Sequence, residues 1–394
     1  MRIGIDATSW SNRRGYGRYT RALTTAVLEL DKRNEYTLFV DCESNEFPLP
    51  SGAQVCKIAT QVPATKAASA DSRRSVGDLW TVASAMRRAR VDLIYFPTDY
   101  TYVPFFIGAP RLVTIHDAIA ELFPAMVFPS LRSKIFYRAK VKSGVHQARL
   151  LITVSEFARR QLTEKLKIPQ ARLRVVCEAA DPIFQPSTAI SSTTALERWG
   201  VPPEARCLIY VGGFSPHKNL SMLLDVVREL IAHDGFRDVR LLLVGDYTGD
   251  SFYSCYSQLR NQVRTTGMEE HVLFTGRVED EELRALLNRS CALVLPSLCE
   301  GFGLPAVEAA ACGTAVLATT ESPIPELLGE GAISIHPADR EDWLRAIERV
   351  LTDAPLRQRM SEAALAAARR LSWKNSARQL LSVFDEVQRD GAAT

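Results

Sequence analysis

The chain has 394 residues, 46% of them hydrophobic and 24% charged, with a formal net charge of +3. That length exceeds one ordinary core and predicts two domains, at roughly 150 residues each. The composition excludes a disordered, collagen-like or coiled-coil chain, and so small a basic surplus argues against a nucleic-acid partner.

The eight cysteines, at positions 42, 56, 177, 207, 255, 291, 299 and 312, form no C-x-x-C pair and no His/Cys cluster of zinc-site spacing. They read as small buried hydrophobes of a reducing compartment. The start, Met1-Arg-Ile-Gly-Ile-Asp6, reads as a strand and lacks the apolar core of a signal peptide. No apolar run approaches the roughly 18 residues of a membrane span, so a cytoplasmic protein is expected.

Short apolar runs alternate with longer amphipathic segments. Strands are predicted at 2–6, 36–40, 92–96, 112–116, 150–154 and 174–177, and again at 208–212, 240–244, 272–275, 292–295, 315–318 and 332–335. Helical periodicity falls between them, as at 19–30, 219–232, 279–288 and 340–351, with a last helix at 373–388. Strand, helix and strand in repetition imply crossovers and parallel sheets covered on both faces. Residues 181–204, rich in Pro, Ser and Thr, break the rhythm and predict a domain boundary, with an N-terminal domain over 1–185 and a C-terminal domain over 195–372. Residues 59–75, polar and Ala-rich, have no clear period and read as a loop.

In open parallel sheets, ligands sit at the carboxyl ends of strands. The chemistry is therefore sought just after each strand. The first such place is Glu300-Gly-Phe-Gly-Leu-Pro-Ala-Val-Glu308. The Gly-Phe-Gly step lets backbone approach a ligand closely, and Leu304 with Pro305 opens a helix whose N–H groups and dipole favour a phosphate. Glu300 and Glu308 bracket that site and suit polyhydroxylated groups. A second place is Lys218, after Gly213-Phe-Ser-Pro-His217. A lysine at a helix start is disfavoured by the dipole, which points to a functional cation rather than a merely exposed one. Two glycines in Gly15-Tyr16-Gly17-Arg18, after the first strand, make an anion or acceptor loop or a simple turn. His116-Asp117 ends a strand. Ser155 and Glu156 read as a helix N-cap and its first-turn acid.

These blocks resemble the GT-B retaining glycosyltransferases of family GT4. Glu300-x7-Glu308 matches the family signature, and other blocks agree in order. They are Ile3-Gly-Ile-Asp6, Gly15-Tyr-Gly-Arg18, Val113-Thr-Ile-His-Asp117, Ile152-Thr-Val-Ser-Glu156, Tyr210-Val-Gly-Gly213 with His217-Lys218-Asn219, Leu242-Leu-Val-Gly245 and Phe274-Thr-Gly-Arg-Val278. The resemblance implies two doubly wound, Rossmann-like domains facing a central cleft, the first for the acceptor and the second for a nucleotide-sugar donor. It also implies that the last helix, within 373–394, crosses back onto the first domain.

Roles follow from the same resemblance. Glu308 would hold the ribose hydroxyls, Glu300 the donor sugar, and the backbone at Phe302, Gly303 and Leu304 the sugar and diphosphate. Gly213 and Lys218 would face the leaving diphosphate, Val278 the base, and His116 the donor sugar. The family commonly carries an arginine shortly before the lysine. Here Phe214 follows Gly213, so His217 or a distant arginine would supply that charge. The activity implied is transfer of a hexose, from UDP-glucose first and GDP-mannose second, to a glycan or lipid-linked acceptor in polysaccharide biosynthesis. The alternatives are a nucleotide-sugar epimerase and a non-catalytic sugar-nucleotide or glycan-binding subunit.

No Asp-x-Asp triplet occurs, so no metal or other cofactor is expected. One basic segment, 130–149, carries Arg132, Lys134, Arg138, Lys140, Lys142 and Arg149 and no acid. It either docks on an anionic membrane surface or lipid-diphosphate acceptor, or is a solvated helix.

Overall fold

The computed structural model describes residues 1–41, 46–67, 75–105, 108–128, 130–187, 196, 198–247 and 254–392. The chain forms two compact units. One joins Met1–Glu178 to Ser372–Thr394, and the other is Ala179–Leu371.

The first unit is built on a parallel sheet of seven strands: β1 (Arg2–Asp6), β2 (Glu35–Val40), β3 (Gln54–Lys57), β4 (Leu93–Phe96), β5 (Arg111–Thr114), β6 (Leu150–Thr153) and β7 (Leu173–Val175). Their order is β3-β2-β1-β4-β5-β6-β7. Strands β4, β5 and β6 are buried along their whole length, as parallel strands covered on both faces are, and β5 carries Arg111 and Thr114 into the interior with its apolar residues. The exception is β3, an edge strand of mostly exposed residues, which no apolar run announces.

The last helix, Trp373–Ala392, belongs to this unit. It packs on the helix Gly15–Leu30, which follows β1. Ala377, Leu380, Phe384 and Val387 recur at helical spacing and are buried. Its first turn is tied to the chain beyond β7, where Ser376 Oγ donates to the Cys177 carbonyl at 2.5 Å. Further along, Arg174 Nε donates to Glu386 at 2.9 Å.

The second unit has six parallel strands: β8 (Arg206–Val211), β9 (Val239–Val244), β10 (Val272–Gly276), β11 (Ala292–Leu295), β12 (Ala315–Thr319) and β13 (Ala332–Ile335). They run in the order β10-β9-β8-β11-β12-β13. Both sheets reverse their winding beside the first strand, at β1/β4 and at β8/β11. Each unit is thus a doubly wound, Rossmann-like α/β fold, with its ligand crevice placed by topology at that reversal.

The residues predicted as a linker do not all behave as one. The units divide between Glu178 and Ala179. Phe184, Leu196 and Val201 then enter the apolar core of the second unit. Residues 188–195 and 197 lie outside the described residues. Of the predicted loop at 59–75, Ala64–Ala67 forms a helical turn, while 68–74 lie outside the described residues.

Among the described cysteines, Cys207, Cys299 and Cys312 are buried, Cys56, Cys177, Cys255 and Cys291 are half-buried, and none of them is in a disulfide. Cys42 lies outside the described residues. No helix of the described residues is long and apolar enough to cross a membrane.

Candidate active site

In the second unit, the two strands flanking the reversal supply the residues that the sequence singled out. After β8, Gly212 and Gly213 lead into a short turn, Pro216–Lys218, before the helix Leu220–Ala232. After β11, residues 296–303 lead into the helix Leu304–Ala311. The two loops are laced together. The Leu298 amide donates to the His217 carbonyl at 2.8 Å. Asn219 takes a left-handed conformation and donates through Nδ2 to the Pro296 and Pro337 carbonyls, at 3.1 and 2.9 Å.

This lacing brings Lys218 onto Glu300. Lys218 Nζ lies 2.8 Å from Glu300 Oε1, and Ser297 Oγ donates to the same oxygen at 2.6 Å. Burial alone would raise the Glu300 carboxyl. The Lys218 charge and the bonds from Lys218 and Ser297 outweigh it and hold the group below its ordinary value, so it is a carboxylate. Spacing in the sequence does not announce Ser297. Its only signal is its place three residues before Glu300, on the turn that ends β11.

Gly303 caps the helix Leu304–Ala311 at φ +82°, where an added Cβ would lie 2.9 Å from Ile324 Cδ1. Only glycine fits both the dihedral and the space. Phe302 and Leu304 flank it, both buried, and Glu308 is 3% exposed one turn inside the helix. The Gly213 carbonyl accepts from Tyr210 Oη at 2.6 Å, and Val278 is buried just beyond β10. The helix end therefore presents backbone donors beside a Lys–Glu pair, an arrangement that can hold a phosphate and sugar hydroxyls together.

The missing arginine is not replaced by His217. Burial first, and the neighbouring Lys218 second, push its imidazole down to about 3, so it is neutral at physiological pH. Its Nδ1 is buried with no hydrogen-bond partner among the described residues. Phe214, at the start of the same turn, is fully buried against Tyr256 and Phe274. Lys218 is the cation that this turn provides.

In the first unit, His116 stands two residues beyond β5. Its Nδ1 lies 3.3 Å from Glu178 Oε1, and its Nε2 lies 3.0 Å from the Pro97 carbonyl. Two acceptors on one ring suit the imidazolium. Burial works against the charge, but the bond and charge of Glu178 prevail and raise the group above its ordinary value. Both nitrogens are engaged within this unit, so a sugar hydroxyl must displace one of these acceptors to bind here. Glu178 is 62 residues away in sequence, and no local pattern pairs it with His116.

Tyr16 packs edge-on against His116 with centroids 5.0 Å apart, and stacks on Tyr100 at 5.5 Å. Burial first, then Asp117 and Asp99, raise its hydroxyl well above the ordinary value, so it stays a phenol. Gly15, Tyr16 and Gly17 do not form the expected loop before a helix. They are the first turn of Gly15–Leu30 itself. An added Cβ on Gly17 would lie 1.8 Å from the Asn12 carbonyl oxygen, so this glycine serves close approach rather than a turn. Asp117 organises its loop by accepting from the Ile119 amide at 2.9 Å, and Ser155 caps the next helix by accepting from the Ala158 amide.

The basic segment forms the helix Leu131–Gln147, opened by a Ser130/Ser133 capping box. Arg138 pairs with Glu121 at 2.6 Å, and Lys140 donates to the Tyr100 carbonyl at 2.9 Å. Lys134, Arg138 and Lys142 recur at every fourth position of this helix, and the ion pair with Glu121 engages the middle one. Leu131, Ile135 and Phe136 are 71%, 58% and 70% exposed beside Arg132 and Lys142. No group of three or more His, Cys, Asp or Glu side chains able to hold a metal occurs among the described residues.

Two family models match the chain. Glycosyltransferase Family 4 covers residues 14–183, and Glycosyl transferases group 1 covers residues 191–366. A D-inositol 3-phosphate glycosyltransferase of Corynebacterium aurimucosum is 29% identical over 62% of this chain and 58% of its own. The chain spans about half the length of the curated relatives of that kind that it matches. The O-antigen chain mannosyltransferase B of Escherichia coli is 26% identical over 74% of each chain. Among solved structures, the Anabaena protein HepE in complex with UDP-glucose has a TM-score of 0.74 at 16% identity, over 98% of this chain and 100% of that one. None of these three relatives points to an epimerase. With two doubly wound units of the GT-B kind and the Glu300-x7-Glu308 helix in place, the chain belongs to the group 1, family 4 glycosyltransferases.

Proposed function

We propose that the protein is a retaining glycosyltransferase of polysaccharide biosynthesis. It moves a hexose from a nucleoside-diphosphate sugar to a hydroxyl of a glycan or lipid-linked acceptor. The observation that carries this reading is the Lys218–Glu300 pair beside the Gly303 helix end, at the reversal of the second sheet. Glu308 holds the ribose, Val278 faces the base, and the Phe302–Leu304 backbone with Gly213 cradles the diphosphate. Glu300 orients the sugar, and His116, by giving up the Pro97 carbonyl, would free Nε2 for a sugar hydroxyl.

The reaction breaks the bond between the anomeric carbon and the phosphate oxygen and forms one to the acceptor oxygen on the same face. The acceptor proton passes to the departing phosphate oxygen. Lys218 and the helix end stabilise the charge that develops there, a role worth about 10²–10³-fold in rate for a single well-placed group. No metal is needed in this reading, because the lysine and the helix end neutralise the diphosphate.

UDP-glucose is the first donor proposed and GDP-mannose the second. The UDP-glucose complex of HepE and the mannosyltransferase relative support that pair. The exposed Leu131, Ile135 and Phe136 with Arg132 and Lys142 support peripheral contact with an anionic membrane. Sedimentation with phosphatidylglycerol vesicles but not phosphatidylcholine vesicles is the result expected of that contact.

The test of the activity is a panel of UDP- and GDP-sugars, with release of free nucleoside diphosphate as the readout. Release from at least one donor, unchanged by EDTA, is expected. No binding and no release with any donor would reject the enzyme reading.

A further inference from the structure

An aromatic cluster stands at the carboxyl ends of β9 and β10, on the far side of β8 from Glu300. Tyr247, three residues beyond β9, lies flat on Tyr256, with ring centroids 4.2 Å apart and planes only 3° from parallel. Phe214 meets both rings edge-on from the core, at 6.4 and 5.7 Å, and Phe274 meets Tyr256 at 5.2 Å. Phe214 is fully buried, whereas Tyr247 and Tyr256 are half-buried. The pair is a rigid aromatic slab seated on the core, with part of its surface left to solvent.

Its position is fixed by two close backbone approaches. Gly245 donates its amide to the Gly276 carbonyl at 3.1 Å, and an added Cβ on Gly245 would lie 1.9 Å from the Gly212 carbonyl oxygen. The loops after β8, β9 and β10 therefore meet at Gly245, two residues before Tyr247. Gly276 has φ +72°, and an added Cβ there would lie 3.5 Å from Tyr247 Cε1. The ring thus stands beside the backbone that leads to Val278.

We propose that Tyr247, backed by Tyr256, is the surface on which the donor's nucleobase stacks. This rests on the nucleotide-sugar reading above and adds to it a residue that the family resemblance does not supply. Every base has a π-face, so such a platform contributes affinity without choosing the base. Choice is left to the backbone groups near Val278. The slab is pre-organised, so little ordering opposes stacking when the donor arrives.

The experiment is calorimetric titration of the full chain with UDP, GDP and inorganic pyrophosphate. Tyr247→Ala is expected to weaken whichever nucleoside diphosphates the wild type binds by about tenfold or more, the range of base–aromatic stacking, and by the same factor for each. Pyrophosphate binding is expected to be unchanged, and Tyr247→Phe and Tyr247→Trp to bind like the wild type. Equal nucleotide affinity in Tyr247→Ala would overturn the proposal. So would an equal loss of pyrophosphate, or a Tyr247→Trp variant as weak as Tyr247→Ala. Failure of the wild type to bind either nucleotide would overturn the nucleotide-sugar reading itself, and the stacking with it.

Discussion

Each unit sets one cation against one glutamate at the carboxyl end of its sheet, and the two pairs are built differently. In the second unit, Lys218 meets Glu300 at 2.8 Å, with Ser297 on the same oxygen. In the first, His116 meets Glu178 at a looser 3.3 Å. Lysine is a permanent cation near neutral pH, whereas histidine changes charge within the physiological range. In the second unit Glu300, held below its ordinary value by Lys218 and Ser297, stays ionised through the neutral range. The first holds a pair that acid strengthens and base dissolves. A site that must neutralise a diphosphate needs the former. The latter suits a group that positions its neighbours, since His116 touches both Tyr16 and Tyr19.

Four outcomes test that contrast, from the largest effect to the smallest. Glu300→Ala should lower turnover about a hundredfold, because a sugar displaced by an ångström loses its alignment. Initial rates of nucleoside diphosphate release measure this. Glu308→Ala should weaken donor binding roughly tenfold to a hundredfold, the worth of hydrogen bonds to a charged group, as titration with the free nucleotide would show.

The His116–Glu178 pair should give a pH-dependent stability with a defined sign. The folded-state histidine is raised above its ordinary value of about 6.5. Its contribution is therefore fully present below that value and is lost as pH rises through the raised one. Melting temperatures of the wild type and Glu178→Gln should differ most near pH 6 and converge towards alkaline pH. Activity that depends on Glu300 should show no such convergence. The smallest contrast is in the first turn of Gly15–Leu30. Gly15→Ala meets nothing within 4 Å and should leave stability within about 0.5 kcal/mol of wild type. Gly17→Ala, driven into the Asn12 carbonyl, should cost about 1–3 kcal/mol by denaturant titration.

Much of this contrast was legible in the sequence on one side and little on the other. The inner strands are announced by their apolar runs, because parallel strands are buried on both faces. The edge strand Gln54–Lys57 carries no such run and escapes notice. Glu300, Gly303 and Glu308 are local in sequence, so one motif places them on one turn and helix. Lys218 is 82 residues from Glu300, and only the order β8-β11 brings them together. The His116–Glu178 pair depends in the same way on β5 and β7, which no spacing rule reaches. The Pro/Ser/Thr-rich stretch misleads because composition reports turn chemistry and not burial. Phe184 and Leu196, inside it, are core residues. His217 misleads for a related reason, since its charge depends on burial and on Lys218, neither of which a residue type reveals.

The central claim is that Lys218 acts on charge developing at the leaving diphosphate. Donor affinity and single-turnover rate, measured on one preparation of Lys218→Ala, test it most directly. A rate lowered about 10²–10³-fold with donor affinity changed far less is the expected result. A variant that turns over at the wild-type rate, or that loses affinity and keeps its rate, would contradict it.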